Sequence, residues 1–244
     1  MTPSPGISIK GRHYINDDLL FDVDLDIPGG QWTCLLGRSG VGKSTILRLI
    51  LGLETGGRFD GTIRATDGAA IDGRISYMAQ SDLMLPWLTV LDNVLIGARL
   101  RGEPLNKDRA SDLLHRVGLS GHSDQKPTTL SGGMRQRAAL ARTLFEDRPV
   151  VFLDEPFSAL DAGTRADMQE LAAELLVGRT VLLVTHDPAE AARLAHQISV
   201  MSAQRTQNWP VPPTKALRDI NAPETLACQA KLLAYLRGAP HEVA

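Results

Sequence analysis

The nine residues GRSGVGKST, Gly37 to Thr45, constrain this chain more than any other stretch. Before them stands QWTCLLG, a short apolar run that reads as a buried strand. After them comes KSTILRLILGLE, with apolar residues at helical spacing. Gly37, Gly42, Lys43 and Ser44 occupy the P-loop positions. In such a loop the backbone N–H groups of Gly37, Arg38, Ser39, Gly40, Val41 and Gly42, continuing into Thr45, curl around phosphate oxygens. The following helix adds the positive end of its dipole. Lys43 supplies a mobile charge for the β- and γ-phosphates, and the Ser44 hydroxyl is placed to ligate the Mg²⁺ that bridges them. The stretch therefore predicts a nucleoside triphosphate site.

Downstream acids fit that site. VVFLDEP places Asp154 and Glu155 at the carboxyl end of a buried strand, the edge at which open parallel sheets bind ligands. Asp154 is assigned to Mg²⁺, and Glu155 to polarising an attacking water. LLVTHDP repeats the arrangement one strand later and puts His186 at the same edge, in reach of a γ-phosphate. Gln80, in ISYMAQSD, follows a short strand-like run, and its amide can ligate Mg²⁺ and bind the attacking water without adding charge. A lone histidine or glutamine is more often structural, so both assignments depend on the P-loop upstream.

Bulk properties narrow the class. Apolar residues at 43% and charged residues at 22% are ordinary for a soluble globular protein of 244 residues. A net charge of −2 argues against a nucleic-acid binder working through bulk electrostatics. The two cysteines, Cys34 and Cys228, lie too far apart in sequence to suggest a metal cluster or a disulfide framework, and they fit a reducing compartment. No apolar run approaches the roughly 18 residues of a membrane span. The first residues lack the charged and apolar regions of a signal peptide. The expectation is a cytosolic protein that serves a membrane, if at all, through a partner.

The coarse organisation is α/β. LFDVDLDI alternates apolar residues with aspartates, as a strand with one wet face does. PVVFLDEP and TVLLVTHD read as central parallel strands joined by the helical ADMQELAAELLV. Between them and the P-loop unit, three helical stripes run through Leu91–Ala98, Ala110–Val117 and Met134–Phe145. From about Ala203 the pattern decays, and a modest helix follows from Glu224 to Leu236.

One motif is left over. TLSGGMRQRAALAR, Thr129 to Arg142, has no carboxylate, histidine or cysteine, yet Ser131 with Gly132 and Gly133 at a helix start makes a second anion site. One nucleotide has one γ-phosphate, so two such loops per chain imply two chains per nucleotide, and two-fold symmetry yields two composite sites. An ordinary helix cap is the plainer alternative.

Taken in order, these motifs resemble the ATP-binding cassette ATPases, specifically the nucleotide-binding subunits of importers. LSGGMRQR is similar to the signature motif of that family, SALD (Ser158 to Asp161) to its D-loop, His186 to its switch histidine and Gln80 to its Q-loop glutamine. Tyr14 falls where the family stacks an aromatic on adenine, beside a neighbouring His13. The resemblance implies a P-loop NTPase core with a mostly parallel sheet, an N-terminal antiparallel β-subdomain and a helical insert. As one ATPase domain, the core would take about 1–87 and 148–203, the helical signature subdomain about 88–147, and a short tail 204–244. It implies ATP and Mg²⁺ as ligands and a head-to-tail homodimer. Integral membrane permease subunits and, indirectly, a solute-binding protein would be the other partners, with no nucleic acid. The place of work would be the cytoplasmic face of the inner membrane.

LMLPWLTVLDNV resembles the nitrate, sulfonate, taurine and thiamine-precursor importer branch. Its apolar residues Met84, Leu85, Pro86, Trp87 and Leu88 are expected either to pack as a loop core or to form the groove that receives the permease. Rival readings are an exporter half, which shares the motifs, and a non-transport cassette, which would carry long coiled coils or a second cassette.

Overall fold

Alternation decides the first two strands of the computed structural model, which describes residues 4–202 and 204–238. Strand β1 (Ile7–Ile15) buries Ile7 and Ile9, and β2 (Asp18–Ile27) buries Phe21, Val23, Leu25 and Ile27 while Asp24 and Asp26 stay exposed. The turn between them is Asn16–Asp17, with φ of 50° and 68°. Positive φ at both central residues gives a turn whose twist matches that of the paired strands. The remaining strands are β3 (Trp32–Gly37), β4 (Arg58–Ala65), β5 (Ile75–Met78), β6 (Val150–Asp154), β7 (Thr180–Thr185), β8 (Gln197–Ser202) and β9 (Gln204–Trp209). The helices are α1 (Lys43–Ile50), α2 (Val90–Arg101), α3 (Lys107–Arg116), α4 (Gly132–Phe145), α5 (Ala162–Leu175), α6 (Pro188–Leu194) and α7 (Pro223–Gly238).

The chain forms two compact units, one built from residues up to Ile75 and from Gly178 onward, the other from Ser76–Val177. In the first unit the strands run in the order β4-β1-β2-β9-β8-β3-β7. The pairings β4–β1 and β1–β2 are antiparallel, whereas β8, β3 and β7 run parallel. All six residues of β3 and of β7 are buried, as expected of central strands covered on both faces. The fold is therefore the expected one, a P-loop α/β core with an antiparallel N-terminal part.

The sequence pattern gave no strand beyond Ser202, yet Gln204–Trp209 pairs antiparallel with β8, Val200 opposite Gln207. QRTQNW shows no apolar alternation because a backbone ladder, rather than a buried face, holds it. The segment leading into the C-terminal helix is fastened to α6, and the helix itself meets β9 through an aromatic pair. Arg218 is 5% exposed and donates to the carbonyls of Ala192, Ala195 and Pro212, and the Trp209 and Tyr235 rings lie 5.0 Å apart.

The second unit holds β5, β6 and helices α2 to α5. Side chains cap its helices. Thr89 accepts from the Asp92 N–H, Asn106 from Arg109, Ser131 from Met134 and Asp161 from Thr164. Among the described residues no helix is long and apolar enough to cross a membrane.

Candidate active site

In the first unit the P-loop leaves β3 and enters α1. The register Leu36↔Thr185 places Gly37, at the end of β3, beside His186, the exposed residue that follows β7. Parallel pairing thus brings two sequence-predicted residues to one sheet edge. The α1 N-terminus differs from the helices of the second unit. Its N-cap is Gly42 in a left-handed conformation, φ 102°, with no side-chain cap and no acid in the first turn. The first backbone N–H groups of a helix have no intrahelical acceptor. Here the sequence offers them none from a side chain, the arrangement that suits a phosphate. Lys43 is 5% exposed, and its ammonium donates to the carbonyls of Gly37 and Arg38, both at 2.8 Å. The cation is thereby held inside the curl of its own loop.

Glycine at 42 has a second cause. A Cβ there would lie 2.9 Å from the Phe21 ring, which presses on the loop from β2. Phe21 in turn stacks on His13, ring centroids 5.4 Å apart, and His13 is fully buried. Desolvation holds that imidazole below its ordinary pKa, which keeps it neutral. Of the two adjacent rings, then, His13 is packing and Tyr14 is the half-exposed one. The Arg58 guanidinium sits over Tyr14, 4.9 Å from the ring centre.

The second unit gathers the other residues. Asp154 ends β6 and is 2% exposed; Glu155 follows it with φ of 49° and is partly exposed. The backbone change at this point sends two consecutive carboxylates into different surroundings. A left-handed glutamate costs on the order of 1–3 kcal/mol and persists only where neighbours over-determine it. Those neighbours are identifiable. The Glu155 carbonyl accepts from the Gln136 amide at 3.0 Å and from the Ser158 hydroxyl at 3.0 Å, while the Gln80 amide donates to the Glu155 carboxylate at 3.2 Å.

Gln136 was not singled out by sequence reasoning, although it lies inside the signature motif. It is 6% exposed, and its oxygen also accepts from the Ala159 N–H at 2.8 Å. One buried amide therefore ties the signature helix α4 to the turn carrying Glu155 and to the SALD segment. Gly133 permits the approach, since a Cβ there would stand 3.2 Å from the Ala159 carbonyl oxygen.

Ser131 is exposed and caps α4, its hydroxyl oxygen accepting from the Met134 N–H at 3.2 Å. A hydroxyl has one donor and two acceptor positions. The cap uses an acceptor and leaves the donor for an anion, so capping and anion recognition are compatible. Gly132, beside it, is exposed as well.

The apolar loop after Gln80 divides. Met84 is buried, whereas Leu83 and Trp87 are 61% and 67% exposed. Buried Asn93 shapes the segment, donating to the carbonyls of Leu85 and Thr89 and accepting from the Leu85 N–H at 2.7 Å. Leu83 has φ of 47°. Arg142 grips that strained point through the carbonyls of Asp82 and Leu83, at 2.6 and 3.0 Å, and Arg135 pairs with the Asp82 carboxylate at 3.0 Å. Both arginines belong to α4. Sequence reading took the arginine run as part of the motif but had no signal for these partners.

A glycine-rich loop with a buried lysine at an uncapped helix, together with a serine-capped glycine pair opening a second helix, is the pattern of a nucleotide-binding cassette. Residues 20–158 match the ABC transporter family model, and the chain belongs to that family as its ATP-binding, ATP-hydrolysing cassette. It is 41% identical over 231 residues to an uncharacterised ABC transporter ATP-binding protein of Haemophilus influenzae, covering 91% of this chain and 95% of the relative. It is 45% identical over 196 residues to the aliphatic sulfonates import ATP-binding protein SsuB 1 of Rhodococcus jostii, covering 80% and 77%. Among solved structures, a dimeric ATP-binding cassette in a post-hydrolysis state bound to ADP and Pi superposes with a TM-score of 0.71. That match has 28% identity and covers 87% of this chain and 99% of that one.

Proposed function

We propose that the chain is the ATPase subunit of an importer that takes up sulfonates through separate permease subunits, with a solute-binding protein delivering the cargo. It would work peripherally at the cytoplasmic face of the inner membrane as a head-to-tail dimer. The name of the relative at 45% identity and the LMLPWLTVLDNV segment support the importer branch. The observation that carries the nucleotide chemistry is the uncapped α1 N-terminus with Lys43 buried in its loop.

The residues fit Mg²⁺ by the chemistry of their donors. Among the described residues no three His, Cys, Asp or Glu side chains gather into a metal cluster. A cation that binds through one carboxylate and phosphate oxygens suits such a sparse set. Ser44 and Asp154 would hold it, with the Gln80 oxygen, whose amide nitrogen is engaged by Glu155, as a further donor. When bound, the ion would neutralise charge on the β- and γ-phosphates.

The chain's own residues divide the work. Backbone N–H groups of residues 37–45 and the Lys43 ammonium orient the triphosphate. Tyr14 takes the adenine. Glu155, held in its strained conformation, accepts a hydrogen bond from the attacking water and aims it, while His186 contacts the γ-phosphate. The Ser131 hydroxyl, with Gly132 and Gly133, closes on the γ-phosphate bound by the second copy. Loss of that phosphate removes the anion bridging two copies, so the dimer opens. Leu83 and Trp87 would pass the motion to the permease.

Glu155→Gln tests the composite site. The variant should bind ATP, lose turnover and elute as a dimer from a sizing column with Mg²⁺ and ATP. A variant that stays monomeric under those conditions, with the permease present as well, refutes it.

A further inference from the structure

The edge strand of the first unit brings an arginine onto the ring assigned to adenine. In the β1–β4 ladder Tyr14 is directly opposite Arg58, and β4 is the outermost strand of its sheet. Directly opposed residues of an antiparallel pair share a face and lie close enough for their side chains to touch. The contact made is a stack, with the guanidinium carbon 4.9 Å from the Tyr14 ring centre.

No ion pair explains this placement. Among the described residues no carboxylate lies within salt-bridge distance of Arg58. The other arginine near this end of β1, Arg12, is engaged by Asp22 at 3.0 Å and also hydrogen-bonds the Tyr14 side chain, rather than covering the ring face. Arg58 is exposed and could extend into water, so its position over the ring reflects attraction between a weakly hydrated planar cation and a π-face. The register also fixes the ring from below. An extra β2 residue between the pairs His13↔Phe21 and Tyr14↔Leu19 shifts the ladder at this point. His13 is locked on Phe21, so Tyr14 emerges from a rigid base.

We propose that Arg58 is a positioning residue for the nucleobase. Its guanidinium covers one face of Tyr14, sets the plane of the ring and leaves the other face as the platform for a purine. The reading rests on adenine stacking at Tyr14. An aromatic ring has two faces, so a guanidinium–ring–base sandwich is sterically complete, and the Arg58 cation adds to the hydrogen bond between Arg12 and Tyr14 in ordering a half-exposed ring.

The test isolates the base from the phosphates. Affinities of Mg–ATP and of Mg–tripolyphosphate are measured for the wild type, Arg58→Ala, Tyr14→Ala and the double variant, and the quantity read is the advantage of ATP over tripolyphosphate. Arg58→Ala should reduce that advantage about two- to five-fold, the scale of one exposed cation–π contact. Tyr14→Ala should reduce it by about five-fold or more, the scale of base–aromatic stacking. Removing Arg58 from the Tyr14→Ala chain should change nothing further.

An unchanged advantage in Arg58→Ala overturns the proposal, as does a further loss of the same size when Arg58 is removed from the Tyr14→Ala chain, which would mean a direct contact between arginine and nucleotide. An increased advantage overturns it too, because the guanidinium would then be occupying the face the base needs. If Tyr14→Ala itself leaves the advantage intact, adenine stacking at Tyr14 falls, and the proposal falls with it. Arg58 is on the surface, so its loss should leave the unfolding midpoint unchanged.

Discussion

Gln136→Met keeps the side-chain volume inside α4 and deletes every hydrogen bond the amide makes. Three are lost: to the Glu155 carbonyl at 3.0 Å, to the Ser158 hydroxyl at 3.3 Å and from the Ala159 N–H at 2.8 Å. Two of these are of ordinary length and the third is weak. Ser158 and Ala159 are exposed, so water can replace the lost partners there, and the Glu155 carbonyl retains Ser158. The net value of about 1 kcal/mol per hydrogen bond therefore applies, rather than the larger penalty of a stranded buried group. The expected loss is about 2–3 kcal/mol in urea unfolding of the purified chain.

That loss is comparable with the roughly 1–3 kcal/mol stored in a left-handed glutamate. Without Gln136 the Glu155 backbone can relax, and a shift of even about 1 Å in a catalytic group costs on the order of 100-fold. Steady-state ATPase should show kcat reduced at least about ten-fold, with the dissociation constant for ATP unchanged within about two-fold. A stability loss below about 0.5 kcal/mol would mean that the amide is not the tie described here. Full stability loss with an unchanged kcat would detach Glu155 from the chemistry.

Other perturbations separate the remaining parts. Lys43→Ala removes the buried loop cation and should weaken ATP binding by roughly 10- to 150-fold, the range of one charge-assisted contact, in a fluorescence titration; unchanged affinity would reassign the lysine to loop structure alone. His13 carries a pH signature. Burial holds its pKa below the ordinary imidazole value of 6.5, so below that pH the unfolded chain takes up the proton more readily. Stability from this residue is complete above about pH 6.5 and is lost as pH falls through the folded value. His13→Phe should therefore lose less stability between pH 8 and pH 5 than the wild type, and an equal loss in both would show that another group sets the slope. Arg142→Ala should speed hydrogen exchange at residues 81–88, because it releases the carbonyls that hold Leu83 at positive φ; unaltered exchange there would place the restraint elsewhere.

Much of this chain was legible in one dimension. The P-loop reads directly because phosphate binding by backbone demands glycine at fixed spacing, and no side-chain chemistry can substitute for it. The LSGG run reads as an anion-binding helix start for the same reason. β3, β6 and β7 declare themselves as continuous apolar runs. Such features are local, and a strand and turn a few residues long are enough to specify them.

Tertiary structure decided what depends on residues distant in sequence. QRTQNW becomes a strand only because β8 offers it a ladder. Gln136, Asn93 and Arg142 look like ordinary polar helix residues until packing aims their side chains at carbonyls elsewhere in the chain. His13 and Tyr14 are neighbours with opposite fates, one sealed beneath Phe21 and the other left open under Arg58. Sequence by itself determined which chemical groups the chain possesses and which loops can cradle a phosphate, since those follow from residue type and spacing. Strand register and burial determined which of those groups are held still and which remain free to meet a ligand, because both depend on contacts that exist only once the chain has folded.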